Sequence, residues 1–132
     1  MENAISPLKT RGDSREALDY SPKLPSGVFF ANAQRIADLI RPLVDEATPS
    51  VVLLDFSVVS DLEYSALKML IEAEEQARRE GRQLWLAALN PGVLDVVARS
   101  KLGDCLGRER IFVSLEAAVE KYAQMKSARA NP

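Results

Sequence analysis

The residues best suited to chemistry lie in one polar segment, residues 57–64, and in the serine that follows it. Asp61 and Glu63 are two positions apart, and Ser65 lies two positions after Glu63. A pair of carboxylates can act as general acid and base when a cleft raises the pKa of one of them. Two acids in a solvated loop are more typical of a charged surface. We therefore interpret Asp61 and Glu63 as surface residues and not as a catalytic pair.

Ser65 supports two hypotheses about the start of the helix that follows it. Serine is a preferred N-cap, because its hydroxyl accepts a hydrogen bond from a free backbone N–H group, and we expect this role. The alternative is that Ser65 is a phosphoacceptor. Free N–H groups and the helix dipole would favour the phosphate, while Asp61 and Glu63 would repel it.

The chain contains no histidine, and Cys105 is its only cysteine. Disulfide bonds within the chain, zinc sites built from Cys and His, and nucleophile systems that need a histidine are therefore excluded. We interpret Cys105 as a small apolar core residue, with a reactive thiol as the alternative. The sequence has no acidic calcium-binding loop and no P-loop, so we expect no metal and no enzymatic activity. The alternatives are a Mg²⁺ or Ca²⁺ site built from carboxylates and a small enzyme such as a nucleotide hydrolase.

Length and composition indicate one ordinary globular domain. The 132 residues suffice for a single domain, which we place at residues 27–126, between a leader at 1–26 and a frayed tail at 127–132. The net charge is -2 and no basic stripe is present, so nucleic-acid binding is not expected. No apolar run approaches the roughly 20 residues that span a bilayer, and the N-terminus lacks a signal-peptide core. The sequence thus predicts a soluble, cytoplasmic protein without direct membrane insertion.

A buried strand and an amphipathic helix flank the polar segment. Residues 51–56 are apolar apart from Asp55, which is typical of a strand buried on both faces of a sheet. We expect the Asp55 side chain to accept backbone N–H bonds from the following loop. An apolar stripe then predicts a helix that starts near Ser65 and stops at Gly81, with Glu74 on its wet face. The stripe comprises Leu67, Leu70, Ile71, Ala73 and Ala77.

The N-terminal part of the chain shows weaker signals. Residues 1–26 contain three prolines and no sustained period, and we interpret them as flexible or loosely packed. Residues 28–30 carry a brief strand signal. A helix is predicted after them, capped by Asn32 and kinked or loosened by Pro42.

The C-terminal part continues the alternation of strands and helices. Residues 84–89 predict a strand, and residues 90–92 break it and start a short helix with proline at its first position. That helix is expected to end at residues 100–103. A last strand at residues 111–113 precedes a helix capped by Ser114. Such alternation predicts a mostly parallel sheet with right-handed crossovers.

Four segments in this order resemble a known family. VFFANAQRIADLI, LLDFSVVSDLEYSALKML, GRQLWLAALNPGVLDVVARSKLGD and IFVSLEAAVEKY are similar to successive segments of STAS domains. The resemblance covers residues 28–122. It implies an α/β fold with a mixed, mostly parallel sheet of four to five strands and helices packed mainly on one face.

The resemblance implies a non-enzymatic regulatory domain that binds another protein. Residues 30–33, FANA, and residues 63–66, EYSA, resemble the cytosolic domain of SulP-type sulfate/anion transporters, whose partner would be the transporter membrane domain. The location would then be the inner face of the membrane. The alternative is a stand-alone anti-sigma-factor antagonist, with an anti-sigma factor or Ser kinase as partner and Ser65 phosphorylated. Antagonists usually carry Asp-Ser-Ser-Gly where this chain has EYSA.

Two sets of candidate site residues follow. The partner-docking set comprises Ser57, Ser60, Asp61, Glu63, Tyr64, Ser65 and Lys68. A weaker set could approach a nucleotide phosphate at a helix N-terminus, and it comprises Asp55, Asn90 and Gly92. No other cofactor is expected.

Overall fold

The computed structural model describes Leu24 and residues 27–28, 30–47 and 50–130. Within the predicted leader it therefore describes only Leu24 and nothing further upstream. Leu24 is buried, and its backbone N–H donates to the carbonyl oxygen of Asp55 at 2.9 Å. The packed part of the chain thus extends upstream at least to Leu24.

Five strands are present in the described residues. They are β1 (Gly27–Val28), β2 (Val51–Asp55), β3 (Asp61–Leu62), β4 (Gln83–Ala87) and β5 (Ile111–Phe112). β2, β4 and β5 form a three-stranded sheet in the order β2-β4-β5, and β1 pairs with β3 in a separate two-stranded sheet. Every one of these pairings is parallel. The mostly parallel α/β fold predicted from the sequence is confirmed, with its strands divided three and two.

Five α-helices connect or follow the strands in the described part of the chain. They are α1 (Phe30–Ala47), α2 (Tyr64–Arg79), α3 (Pro91–Ala98), α4 (Lys101–Leu106) and α5 (Leu115–Ala130). A short 3-10 helix, Arg108–Arg110, leads into β5.

The core is divided between the two faces of the three-stranded sheet. Alternate residues of a strand point to opposite faces, so Val52 and Leu54 of β2 face one side while Val51 and Leu53 face the other. On the first side they pack with buried residues of α1, α2, α3 and α4. Among the described helices, α5 alone packs on the second side, through the buried Ala118 and partly buried neighbours such as Val119 and Tyr122. The prediction that helices pack mainly on one face is confirmed.

Several predicted local signals are confirmed. Gly81 follows the end of α2 with φ +78°, a conformation that favours glycine. Pro91 occupies the first helical position of α3, as predicted. The cap before it was not predicted: Asn90 accepts the N–H of Val93 at 2.8 Å. The hydroxyl of Ser114 accepts the N–H of Ala117 at 3.1 Å.

Two predicted boundaries are wrong. α1 begins at Phe30, so Asn32 lies inside it, and its amide donates to the carbonyl of Gly27 at 2.8 Å instead of capping. Pro42 lies inside this helix, which ends at Ala47, and the kink or loosening expected at Pro42 stays a prediction. Residues 100–103 do not simply end α3, because Ser100 caps the additional helix α4 by accepting the N–H of Leu102.

Candidate functional site

The loop of residues 57–64 follows the carboxyl end of β2, and hydrogen bonds to β2 and β4 hold its start in place. Asp55 is buried, and its Oδ1 accepts the backbone N–H of Ser57 at 2.8 Å, which confirms its predicted role. The N–H of Phe56 donates to the carbonyl of Ala87 at 2.9 Å, so the chain is still attached to β4 here. A turn follows, in which the N–H of Val59 donates to the carbonyl of Phe56.

The polar segment at residues 57–64 also contains a short strand. Asp61 and Leu62 form β3, which pairs in parallel with Gly27 and Val28. Leu62 is buried and Asp61 is exposed, so the two residues divide between core and solvent. A strand of two residues has almost no pattern of its own, and its partner lies more than thirty positions upstream.

The start of α2 differs from the prediction at Ser65. Glu63 is the N-cap, with extended backbone and no side-chain capping bond, and Tyr64 is the first helical residue. Ser65 therefore lies within the first turn, where its hydroxyl donates to Oε1 of Glu63 at 3.1 Å. The prediction that Ser65 caps the helix is wrong, because the observed cap lies two residues earlier, at Glu63.

The structure brings the docking candidates together around this helix start. Ser57, Ser60, Asp61, Glu63, Tyr64 and Lys68 are exposed, and Ser65 is half-buried. Tyr64 is 72% exposed, an unusual position for a large aromatic ring. Val58, which the sequence analysis did not select, is also exposed. The buried side chains of Val59 and Leu62 alternate with these exposed residues and attach the loop to the core.

Asn90 joins this loop to α3. Its Nδ2 donates to the carbonyl of Val59 at 3.1 Å while its Oδ1 caps the helix. Asn90 and Asp55, two of the three nucleotide candidates, thus use their side chains to hold the 57–64 loop. The third, Gly92, is exposed on the first turn of α3.

A cavity lies elsewhere in the domain. A cleft of about 570 Å³ separates α1 from α2, with apolar side chains such as Ile36, Ile40 and Met69 along its walls. None of the docking or nucleotide candidates lines it. In the described residues no group of three or more His, Cys, Asp or Glu side chains is arranged to hold a metal ion. No described helix has the length and apolar character needed to cross a membrane.

An ion-pair network connects α1 with α2 at one end of this cleft. Arg41 donates to Oε2 of Glu80 at 2.7 Å, and Arg82 pairs with Oε1 of the same carboxylate at 2.8 Å. Gln76 also donates to Glu80, at 2.6 Å. The hydrogen bond from Gln76 is the main cause of a lowered pKa at Glu80, and Arg41 adds to it.

The prediction that Glu74 lies on the solvent-exposed face of α2 is wrong. It is 2% exposed and accepts two hydrogen bonds from Arg78, at 3.2 and 2.9 Å. These bonds raise the pKa of the Arg78 guanidinium. The signal was present in the sequence, because Glu74 lies two turns after the buried Leu67 on the same helical face.

The fold is that of a small α/β domain with parallel strand pairing, and the exposed 57–64 loop follows its strand β2. A family model for the STAS domain matches residues 23–118. That match covers most of the chain, and the chain belongs to the STAS domain family.

Individual relatives agree with the family. Sulfate transporter 3.1 of Arabidopsis thaliana is 28% identical over 114 residues, which are 78% of this chain and 17% of the relative. The chain therefore spans less than a fifth of the length of such curated relatives.

Solved structures share the fold. A sulfate transporter family protein from Wolinella succinogenes matches with a TM-score of 0.69 and 25% identity, covering 80% of this chain and 84% of that one. The unphosphorylated anti-sigma factor antagonist SpoIIAA matches with a TM-score of 0.70 and 15% identity, over 92% and 97% of the two chains. The second likeness is one of fold alone.

Proposed function

We propose that this chain is a non-enzymatic regulatory docking domain, the cytosolic domain of a SulP-type sulfate/anion transporter. The main observation behind this proposal is that the exposed 57–64 loop is held in place by three contacts with the rest of the domain. Those contacts are made through the Asp55 carboxylate, the Asn90 amide and the β1–β3 pairing. In this proposal a protein partner binds the loop and the first turn of α2.

The physical support for docking is pre-organisation. A loop that is already fixed loses little conformational entropy when a partner binds, so more of the contact energy appears as affinity. Tyr64 offers a large amphipathic side chain on a helical backbone, and tyrosine is enriched among the residues that dominate binding energy. The surface therefore has one strong anchor and a polar surround.

Support for the transporter assignment comes from the relatives. Those that match over most of this chain are named as sulfate transporters, and this chain corresponds to less than a fifth of their length. In the proposal, the remainder of such a protein is the membrane domain that this domain contacts. Its location would then be the cytoplasmic face of the membrane.

A second candidate is a stand-alone anti-sigma-factor antagonist. The fold shared with SpoIIAA over 92% of this chain favours it, and so does a serine hydroxyl in the first turn of α2. Against it stands the contact between Ser65 and Glu63, because a phosphate on Ser65 would lie beside a carboxylate that the hydroxyl now contacts. Phosphorylation would have to overcome that repulsion.

A co-purification experiment tests the proposal. The domain and its Tyr64→Ala variant are each co-expressed with the membrane-spanning portion of a SulP-type transporter from the same source, and retention in detergent is compared. The proposal predicts retention of the wild-type domain and a loss of at least about tenfold for the variant. Equal retention of both would contradict it. Stoichiometric labelling of Ser65 by a sensor-type Ser kinase, without membrane-domain binding, would favour the second candidate.

A further inference from the structure

Exposed apolar side chains occur on the 57–64 loop and also on α3. Val58 is 45% exposed, Tyr64 is 72% exposed, and Leu94 of α3 is 40% exposed. Large apolar side chains with this much exposure indicate an interaction surface when several of them lie together. Leu94 belongs to no part of the surface selected from the sequence.

Backbone geometry places Leu94 beside the loop. The Asn90 amide donates to Val59, next to Val58, and the carbonyl of Asn90 accepts the N–H of Leu94 one helical turn later. Asn90 is therefore within one turn of Leu94 and in direct contact with the residue after Val58. α3 also packs against β3, which leads directly into the first turn of α2.

The charged side chains around these apolar residues are mainly acidic. Asp61 and Glu63 are exposed between Val58 and Tyr64. Asp95, next to Leu94, is neutralised by Arg99 at 3.2 Å. Lys68, one turn into α2, is the nearby exposed cation of the docking set. The surface thus carries two carboxylates against one ammonium group, and a complementary partner would supply positive charge.

We infer that the docking surface extends from Tyr64 and Val58 to Leu94, and that it binds a protein segment with an apolar anchor flanked by Lys or Arg. This inference rests on the proposed docking function and names the chemistry of its partner. The apolar side chains supply buried area, and Asp61 and Glu63 select the charge. An anionic lipid surface fits poorly, because its phosphates would meet these carboxylates.

Selection from a random-peptide display library tests the chemistry directly. Peptides are selected on the wild-type domain and then measured against three variants: Asp61→Lys/Glu63→Lys, Tyr64→Ala and Leu94→Ser. The control is Glu116→Lys/Glu120→Lys on α5, which makes the same charge change on exposed positions across the sheet. If the first variant does not fold, Asp61→Asn/Glu63→Gln removes the charges and keeps the shapes.

The inference predicts enriched peptides that combine Lys or Arg with an aromatic or aliphatic residue. Their affinity falls about tenfold or more on charge reversal and on Leu94→Ser, weakens with added salt, and is unchanged in the control. If the peptide affinity falls in Tyr64→Ala but not on charge reversal, or not in Leu94→Ser, the inference is overturned and the proposed function is left intact. Peptides insensitive to Tyr64→Ala would overturn both. Co-sedimentation of the wild-type domain with phosphatidylglycerol vesicles would also overturn the inference.

Discussion

The side-chain amide of Asn90 and the backbone carbonyl of Val59 are joined by a hydrogen bond of 3.1 Å across 31 positions of sequence. Through this bond Asn90, the residue that precedes α3, holds the 57–64 loop at Val59. The same side chain caps α3, so the stability of that helix and the position of the loop are coupled through one residue.

Replacement of Asn90 should separate these two roles. Asn90→Ala loses both the cap and the loop contact, and we expect the free energy of unfolding to fall by about 1–3 kcal/mol. Asn90→Asp keeps an oxygen that can accept from Val93 but has no N–H for Val59. It should cost less stability, while hydrogen exchange of the amides of residues 57–60 accelerates. Unchanged exchange in Asn90→Asp would show that the contact does not hold the loop.

Alanine substitutions of Ser65 and Ser114 can be compared to test which of the two serines caps its helix. Ser114 caps α5, and its replacement by alanine should cost about 1 kcal/mol. Ser65→Ala removes only a partly exposed contact with Glu63, and we expect a change within about 0.5 kcal/mol. Urea denaturation of both variants measures the difference. A cost for Ser65→Ala equal to that of Ser114→Ala would restore the capping role.

Gly103 should be far less tolerant of substitution than Gly92. A Cβ on Gly103 would lie 2.6 Å from the carbonyl oxygen of Val97 and 2.9 Å from backbone atoms of Ala98, so α3 and α4 would have to separate. Gly103→Ala is expected to cost roughly 1–3 kcal/mol. At Gly92 the nearest atom is the Asn90 side chain at 3.4 Å, and Gly92→Ala should change stability by less than about 1 kcal/mol. Thermal unfolding of the two variants side by side checks this order.

The network around Glu80 predicts a pH dependence of stability. Hydrogen bonding from Gln76, aided by Arg41, lowers the pKa of Glu80 from its usual value of about 4.5. A carboxylate with a lowered folded-state pKa stabilises the fold above its unfolded-state pKa, and the contribution is lost as the pH falls through the folded-state value. The midpoint difference between wild type and Glu80→Gln should therefore be largest near neutral pH and shrink below about pH 4. Glu120→Gln is the control, and a difference that grew on acidification would contradict the network.

Much of the scaffold could be predicted because it depends on strong periodic signals. Residues 51–56 are apolar apart from Asp55, and they form β2 with the buried Phe56 after it. The stripe through Leu67 forms the inner face of α2. Local signals for the stop at Gly81, the helix start at Pro91 and the cap at Ser114 also agree with the structure.

The misses concern interactions that no local pattern encodes. β3 exists because Asp61 and Leu62 meet Gly27 and Val28 in space. The Asn90–Val59 contact likewise depends on the folded arrangement of two distant segments. Ser65 was misassigned by a shift of two residues in the position of the cap, which is within the usual uncertainty of helix boundaries.

Site-specific photo-crosslinking in cells is the most direct test of the surface centred on Tyr64. A benzoylphenylalanine side chain replaces Tyr64 in one variant and the exposed Glu120 of α5 in the other, within the full-length protein. We predict that the Tyr64 variant crosslinks to the membrane-spanning part of a transporter, within or between chains, and that the Glu120 variant does not. A crosslink from position 120 but none from position 64 would contradict the assignment of the docking surface.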